Sequence, residues 1–153
     1  MLLHDLHNYW FSVNPVQQLV VELTERDVLQ DGDQHMAEHL HLKGAQLAID
    51  DFGTGNSSLS WLEKLRPDVL KIDRSFTSSV GIDSVNATVT DIIIALADRL
   101  NIVTVAEGVE TLEQESYLRG HGVDVLQGFY YARPMPVEAF PAWLASREES
   151  ESE

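Results

Sequence analysis

Five apolar runs of strand length, separated by helical patterns, constrain this chain more than any other feature of its sequence. The runs fall at 19–23, 45–49, 69–72, 102–106 and 123–126, and the helical patterns at 33–43, 58–64, 85–100, 112–119 and 137–144. A further helical pattern covers 2–11 and is broken by Asn14-Pro15. Gly44 and Gly122 stand where helix C-caps belong, and Asn101 stands at a third such position. Several runs are β-branched and almost continuously apolar, as expected of strands covered on both faces in a parallel sheet. One leading helix followed by five strand–helix units predicts an α/β chain. Two architectures compete. One is an open five-stranded sheet of the receiver or flavodoxin type. The other is an incomplete (β/α)8 barrel, whose whole needs about 250 residues.

Each run gives way to polar, mostly acidic residues. The first ends in Glu22-Leu23-Thr24-Glu25 and the second in Asp50-Asp51. The third carries Lys71 and Asp73, the fourth ends in Glu107 with Glu110 after it, and the fifth ends in Gln127. In parallel α/β folds the C-terminal strand ends form one rim, where ligands bind. Polar side chains from every unit, most of them acids, therefore converge on one patch. Adjacent Asp50 and Asp51 pose a puzzle, because neighbouring strand residues point to opposite faces unless the strand ends there.

Clustered carboxylates repel, and a divalent cation relieves that. Hard oxygen donors in a chain with no cysteine suit Mg²⁺ or Mn²⁺. Glu22, Asp50, Asp51 and Glu107 form a donor set for two ions about 3.5–4 Å apart, the spacing that cleaves phosphodiesters. Lys71 adds a fixed positive charge near a phosphate or an attacking water. The receiver alternative also uses paired acids and a lysine, but wants the acid pair after the first strand and the lysine after the fifth. Here they come after the second and the third.

Composition narrows the remaining classes. A formal net charge of −15 argues against broad electrostatic binding to nucleic acid or anionic membrane. Part of that charge lies in 147–153, which reads as an acidic disordered tail after a domain spanning 1–146. No apolar run reaches membrane-spanning length, and no secretory leader pattern opens the chain, so a cytoplasmic protein is expected.

The strand-end motifs resemble those of the EAL-domain phosphodiesterases, which hydrolyse the bacterial messenger cyclic di-GMP. They are "ELTE" at 22–25, "DDFGTG" at 50–55, "LKIDRSF" at 70–76, "AEGVET" at 106–111 and "QGFYYARP" at 127–134. The resemblance runs from Leu19 to Trp143 and implies a modified (β/α)8 barrel in which one strand is antiparallel. It implies Glu22 and Asp50 as metal ligands and Asp51 as a ligand of the second ion. Lys71 is implied at the catalytic water or the second-metal region, Glu107 as metal ligand or general base, and Gln127 in the substrate or water network. Glu25 would brace the "DFGTGNSS" loop, which in the family links the site to a dimer interface. Asp73 and Glu110 take supporting places.

Two departures qualify the resemblance. The Glu-Ala-Leu motif, with its metal-binding glutamate and phosphate-contacting arginine, precedes everything seen here, as does a metal-binding asparagine. About three of eight strands are therefore missing from this sequence, and turnover by this chain alone is not expected. A homodimer, or association with a chain that completes the barrel, is expected instead. The second departure is Asn56, where the family has an aromatic. The rival reading is a degenerate, non-catalytic member acting through protein contacts or nucleotide binding. His35-Met36-Ala37-Glu38-His39 matches an inverted zinc-peptidase pattern, but lies on an outer helix and reads as a solvated face.

Overall fold

The computed structural model describes residues 19–24, 33–54, 59–80 and 85–150. The expected leading helix, Glu25 and Asn56 lie outside the described residues. Five strands form one sheet: β1 (Val20–Thr24), β2 (Gln46–Phe52), β3 (Val69–Ile72), β4 (Val103–Ala106) and β5 (Val125–Leu126). The helices are α1 (Asp33–Leu42), α2 (Leu59–Leu65), α3 (Arg74–Thr77), α4 (Val85–Leu100), α5 (Leu112–Gly120) and α6 (Phe140–Ser150), with a 3-10 turn at Val137–Ala139.

Strand order decides between the two architectures. The sheet runs β1-β2-β3-β4-β5 in sequence, and every pairing is parallel. A doubly wound sheet reverses its order at a switch point, whereas a barrel adds each strand beside the last. The chain is therefore a barrel segment, with its core on one face of the sheet.

That core joins Leu23, Leu47, Ile49, Leu70, Ile72 and Ala106 to the inner sides of the helices. In α4, Ala87, Thr90, Ile93, Ile94 and Ala97 are buried, the spacing of a single helical stripe. Intervening strand residues point to the other face. There Val20, Val103 and Val125 are exposed at the start of their strands, while Glu22, Asp50 and Lys71 stand further along.

Three helices end alike. Gly44, Asn101 and Gly122 take positive φ, of 78°, 55° and 89°. The next N–H turns back each time: Ala45 to Leu40, Ile102 to Ala97 and Val123 to Leu118. This closure satisfies the last free carbonyls and aims the chain into the next strand. Arg66 ends α2 with a φ of 46°, which its sequence does not advertise.

Two expectations are corrected. The sequence pattern predicts no helix directly after the third strand, yet α3 forms there, a single turn too short to show periodicity. The final helical pattern, expected over 137–144, is a 3-10 turn at Val137–Ala139 followed by α6, which runs on to Ser150. Arg147 explains the extension: it donates to the Tyr131 carbonyl and lies over the Trp143 ring. Among the described residues, no helix is long and apolar enough to cross a membrane.

Candidate active site

The pair Asp50-Asp51 owes its placement to a bulge. Ile49 pairs with Leu70 and Phe52 with Ile72, so β2 spends one more residue than β3 over that interval. Asp51 absorbs the extra residue with a φ of 56°. A bulge sets two residues opposite one, so Asp50 and Asp51 together face Lys71, and Phe52 returns to the core. The Asp51 N–H donates to Asp50 Oδ1 at 3.0 Å. The puzzle of two neighbouring acids is thereby resolved.

Lys71 is the centre of the rim. Its Nζ lies 2.7 Å from Glu107 Oε1, 3.0 Å from Glu22 Oε2 and 3.2 Å from Asp50 Oδ1. The lysine side chain is only 11% exposed, against 50% for Glu22, 23% for Asp50 and 25% for Glu107. Burial works against the ammonium, but hydrogen bonds to Glu107, Glu22 and Asp50 outweigh it and push its pKa above the ordinary lysine range. The lysine is therefore a permanent cation, not a proton carrier at neutral pH. Strands β1, β2 and β3 each supply one member and Glu107 directly after β4 the fourth, so the cluster exists only in the folded sheet.

Three carboxylates face one ammonium, which leaves the cluster with excess negative charge. The donors are hard oxygens that already converge on a cation. Hard oxygens of this kind are the donors that a divalent ion prefers. Among the described residues, no three acidic or histidine side chains are by themselves spaced to hold a metal ion. Lys71 stands between them.

The other residues singled out from the sequence take distinct places. Asp73 caps α3, its Oδ1 accepting from the Ser75 N–H at 2.9 Å. Burial raises its pKa, but hydrogen bonds from Ser75 and Arg74 lower it further than that, below the usual carboxylate value. Gln127 extends the sheet past β5, its N–H donating to the Ala106 carbonyl at 2.9 Å. Glu110 sits 2.8 Å from Arg74 Nη2 and away from the Lys71 cluster. His35 and Glu38 meet at 3.7 Å on an exposed face of α1, outside the rim.

The loops after β4 and β5 lock together. Val109 is fully buried, its N–H donates to the Gln127 carbonyl, and its carbonyl accepts from Tyr130. A Cβ on Gly128 would stand 2.1 Å from the Val109 oxygen, so only glycine fits. Sequence reasoning passes over Gly128. Its signal is a glycine two positions past the end of β5.

Comparison with known proteins identifies the family and the fold. The model of the EAL domain family matches residues 3–134. The chain belongs to the EAL domain family. It is 65% identical over 148 residues to the probable cyclic di-GMP phosphodiesterase PdeD of Escherichia coli K12, covering 97% of this chain and 28% of that protein. The EAL domain of Mycobacterium smegmatis DcpA superposes with a TM-score of 0.83 at 35% identity, over 94% of this chain and 66% of that one. A manganese and cyclic di-GMP complex of Klebsiella pneumoniae BlrP1 superposes with a TM-score of 0.76 at 31% identity, over 86% of this chain and 34% of that one. This EAL chain thus spans a little over a quarter of its curated relative and about two thirds of a solved EAL domain.

Proposed function

We propose that this chain carries the C-terminal part of a cyclic di-GMP phosphodiesterase site. The observation that carries the reading is the convergence of Glu22, Asp50 and Glu107 on Lys71 at one end of the sheet. The BlrP1 complex supports it, because a structural relative of this chain holds both manganese and the dinucleotide. Two divalent ions, Mg²⁺ or Mn²⁺, would be held by Glu22, Asp50, Asp51 and Glu107 together with residues outside this sequence. When bound, such ions supply an activated water and charge stabilisation for in-line hydrolysis of one phosphodiester.

The chain's own residues do the rest. Lys71 holds a positive charge where the phosphate's negative charge grows. Its ammonium also lies 2.7 Å from Glu107 Oε1 and so helps to orient that carboxylate. Gln127, one position past β5, offers an amide to substrate or water from the neighbouring strand. The product is the linear dinucleotide. Turnover requires the complete barrel, supplied by a longer chain or by a partner. A homodimer would also bury the exposed Val20, Val103 and Val125.

The test is cyclic di-GMP turnover and Mn²⁺ binding by the purified chain, with Glu107→Ala in parallel. Mn²⁺ binding that Glu107→Ala abolishes supports the reading. So does turnover that appears only when the first part of an EAL domain is added. Equal Mn²⁺ binding by both proteins rejects it, and nucleotide binding without turnover in the completed barrel favours a non-catalytic member.

A further inference from the structure

Glu107 stands directly after β4, and the residue beyond it is a glycine. Gly108 has a φ of 69°, a region glycine enters freely. The Glu107 N–H is fixed to the Ile72 carbonyl at 3.0 Å, but the turn beyond it needs holding from both sides. The β5 side holds it through Val109, whose N–H donates to the Gln127 carbonyl. On the β3 side stands Arg74. A Cβ on Gly108 would lie 2.4 Å from Arg74 Cγ and 2.8 Å from Arg74 Cβ, so the arginine stem rests directly on the glycine. Beyond it the guanidinium reaches Glu110 at 2.8 Å. Both ends of this arm are anchored. Arg74 opens α3, which Asp73 caps. The N–H groups of Glu110 and Thr111 donate to Gln114 Oε1 at 2.7 and 3.1 Å, within the capping box of α5.

We propose that Arg74 and Glu110 are positioning residues: together they clamp the Gly108 turn and so set where the Glu107 carboxylate meets Lys71 and a bound divalent cation. The inference rests on the reading of the rim as a cation site. The pair's value does not lie in stability, because it is largely exposed and such ion pairs contribute little. It lies in geometry, because the arm joins the loops after β3 and β4, and these two strands lead to Lys71 and Glu107. The clamp acts on Glu107 through the backbone, since the arginine pairs with Glu110 and not with Glu107.

The experiment measures Mn²⁺ affinity of the full chain by electron paramagnetic resonance, for the wild type, Arg74→Ala, Glu110→Gln and the charge swap Arg74→Glu with Glu110→Arg. Each single substitution is expected to weaken Mn²⁺ about tenfold, as loss of a group supporting a metal ligand does. The swap is expected to restore most of the affinity, with melting temperatures close to wild type. Single variants that bind Mn²⁺ as the wild type does overturn the proposal. If the wild type itself shows no Glu107-dependent binding, it is the functional reading that fails. The clamp is then decided by a thermal-unfolding cycle of Arg74→Ala with Glu107→Gln. Non-additive melting shifts support it, and additive shifts, as for independent sites, overturn it.

Discussion

The two ends of the sheet both carry acids, and they use them in opposite ways. At the N-terminal end, Asp68 precedes β3 and Asp124 precedes β5. Asp68 Oδ2 accepts from the Leu47 N–H at 2.8 Å and lies 3.1 Å from His41 Nε2. Asp124 Oδ2 accepts from both the N–H and the hydroxyl of Thr104, each at 2.8 Å. These carboxylates reach sideways to the next strand and are satisfied there. At the C-terminal end, Glu22, Asp50 and Glu107 turn toward a common point and share one lysine. An acid at a strand end is structural when donors on the neighbouring strand take it up, as for Asp68 and Asp124. It is available for chemistry when several acids converge and leave charge over.

Lys71→Met breaks the contrast most severely. It leaves three carboxylates facing one another with no cation. Removing one partner of a buried ion pair costs about 3–5 kcal/mol, and these partly exposed acids bring the expected loss to about 2–3 kcal/mol. Thermal unfolding reads the loss, and millimolar Mn²⁺ is expected to recover part of it. The pH dependence comes from the raised pKa of Lys71. A group whose folded pKa is raised stabilises fully below its unfolded pKa and ceases to do so as pH passes the folded one. The deficit of the variant therefore holds steady across neutral pH and narrows under strongly alkaline conditions. A deficit that vanishes near pH 7 would contradict the cluster.

Asp124→Ala tests the opposite end. It strips the buried Thr104 of the acceptor for its N–H and hydroxyl, and an unsatisfied buried donor costs about 1–3 kcal/mol. The expected loss is about 2 kcal/mol in thermal unfolding, and Mn²⁺ does not rescue it. Equal rescue of both variants by the metal would erase the distinction between the two ends.

The same contrast explains how much of the molecule is legible in its sequence. Strand and helix spans are readable because apolar periodicity is imposed by burial, and α4 falls at the expected 85–100. The C-terminal rim is readable because polar residues, mostly acids, after every strand form a pattern. Asp68 and Asp124 are not, since a single acid before a strand looks like ordinary surface until its partner on the neighbouring strand is known. The bulge at Asp51 is also hidden, because it depends on the register of β2 against β3. Asp73 takes a supporting place in the sequence reading, and its bond to Ser75, which caps α3, is hidden there because a helix of one turn shows no periodicity. Whether Lys71 sits beside the acids or among them is a question of side-chain reach across neighbouring strands.

Glu22→Gln gives the smallest expected effect and makes the sharpest comparison. Glu22 is the most exposed of the three acids and lies on β1, at the end of the strand order, 3.0 Å from Lys71. An exposed ion pair contributes about 0–1 kcal/mol, and glutamine keeps an oxygen that accepts from the ammonium, so unfolding is expected to shift by about 0.5 kcal/mol or less. Cation binding is different, because the substitution removes one of the three charges that oppose Lys71. Mn²⁺ affinity is therefore expected to fall about tenfold or more, read by electron paramagnetic resonance, while stability barely moves. Asp124→Ala gives the mirror image, with stability lost and affinity kept. An acid whose loss is felt in binding but hardly in folding is held in place for a ligand. Should Glu22→Gln bind Mn²⁺ as the wild type does, β1 contributes nothing to the cation site, and the functional rim begins at β2.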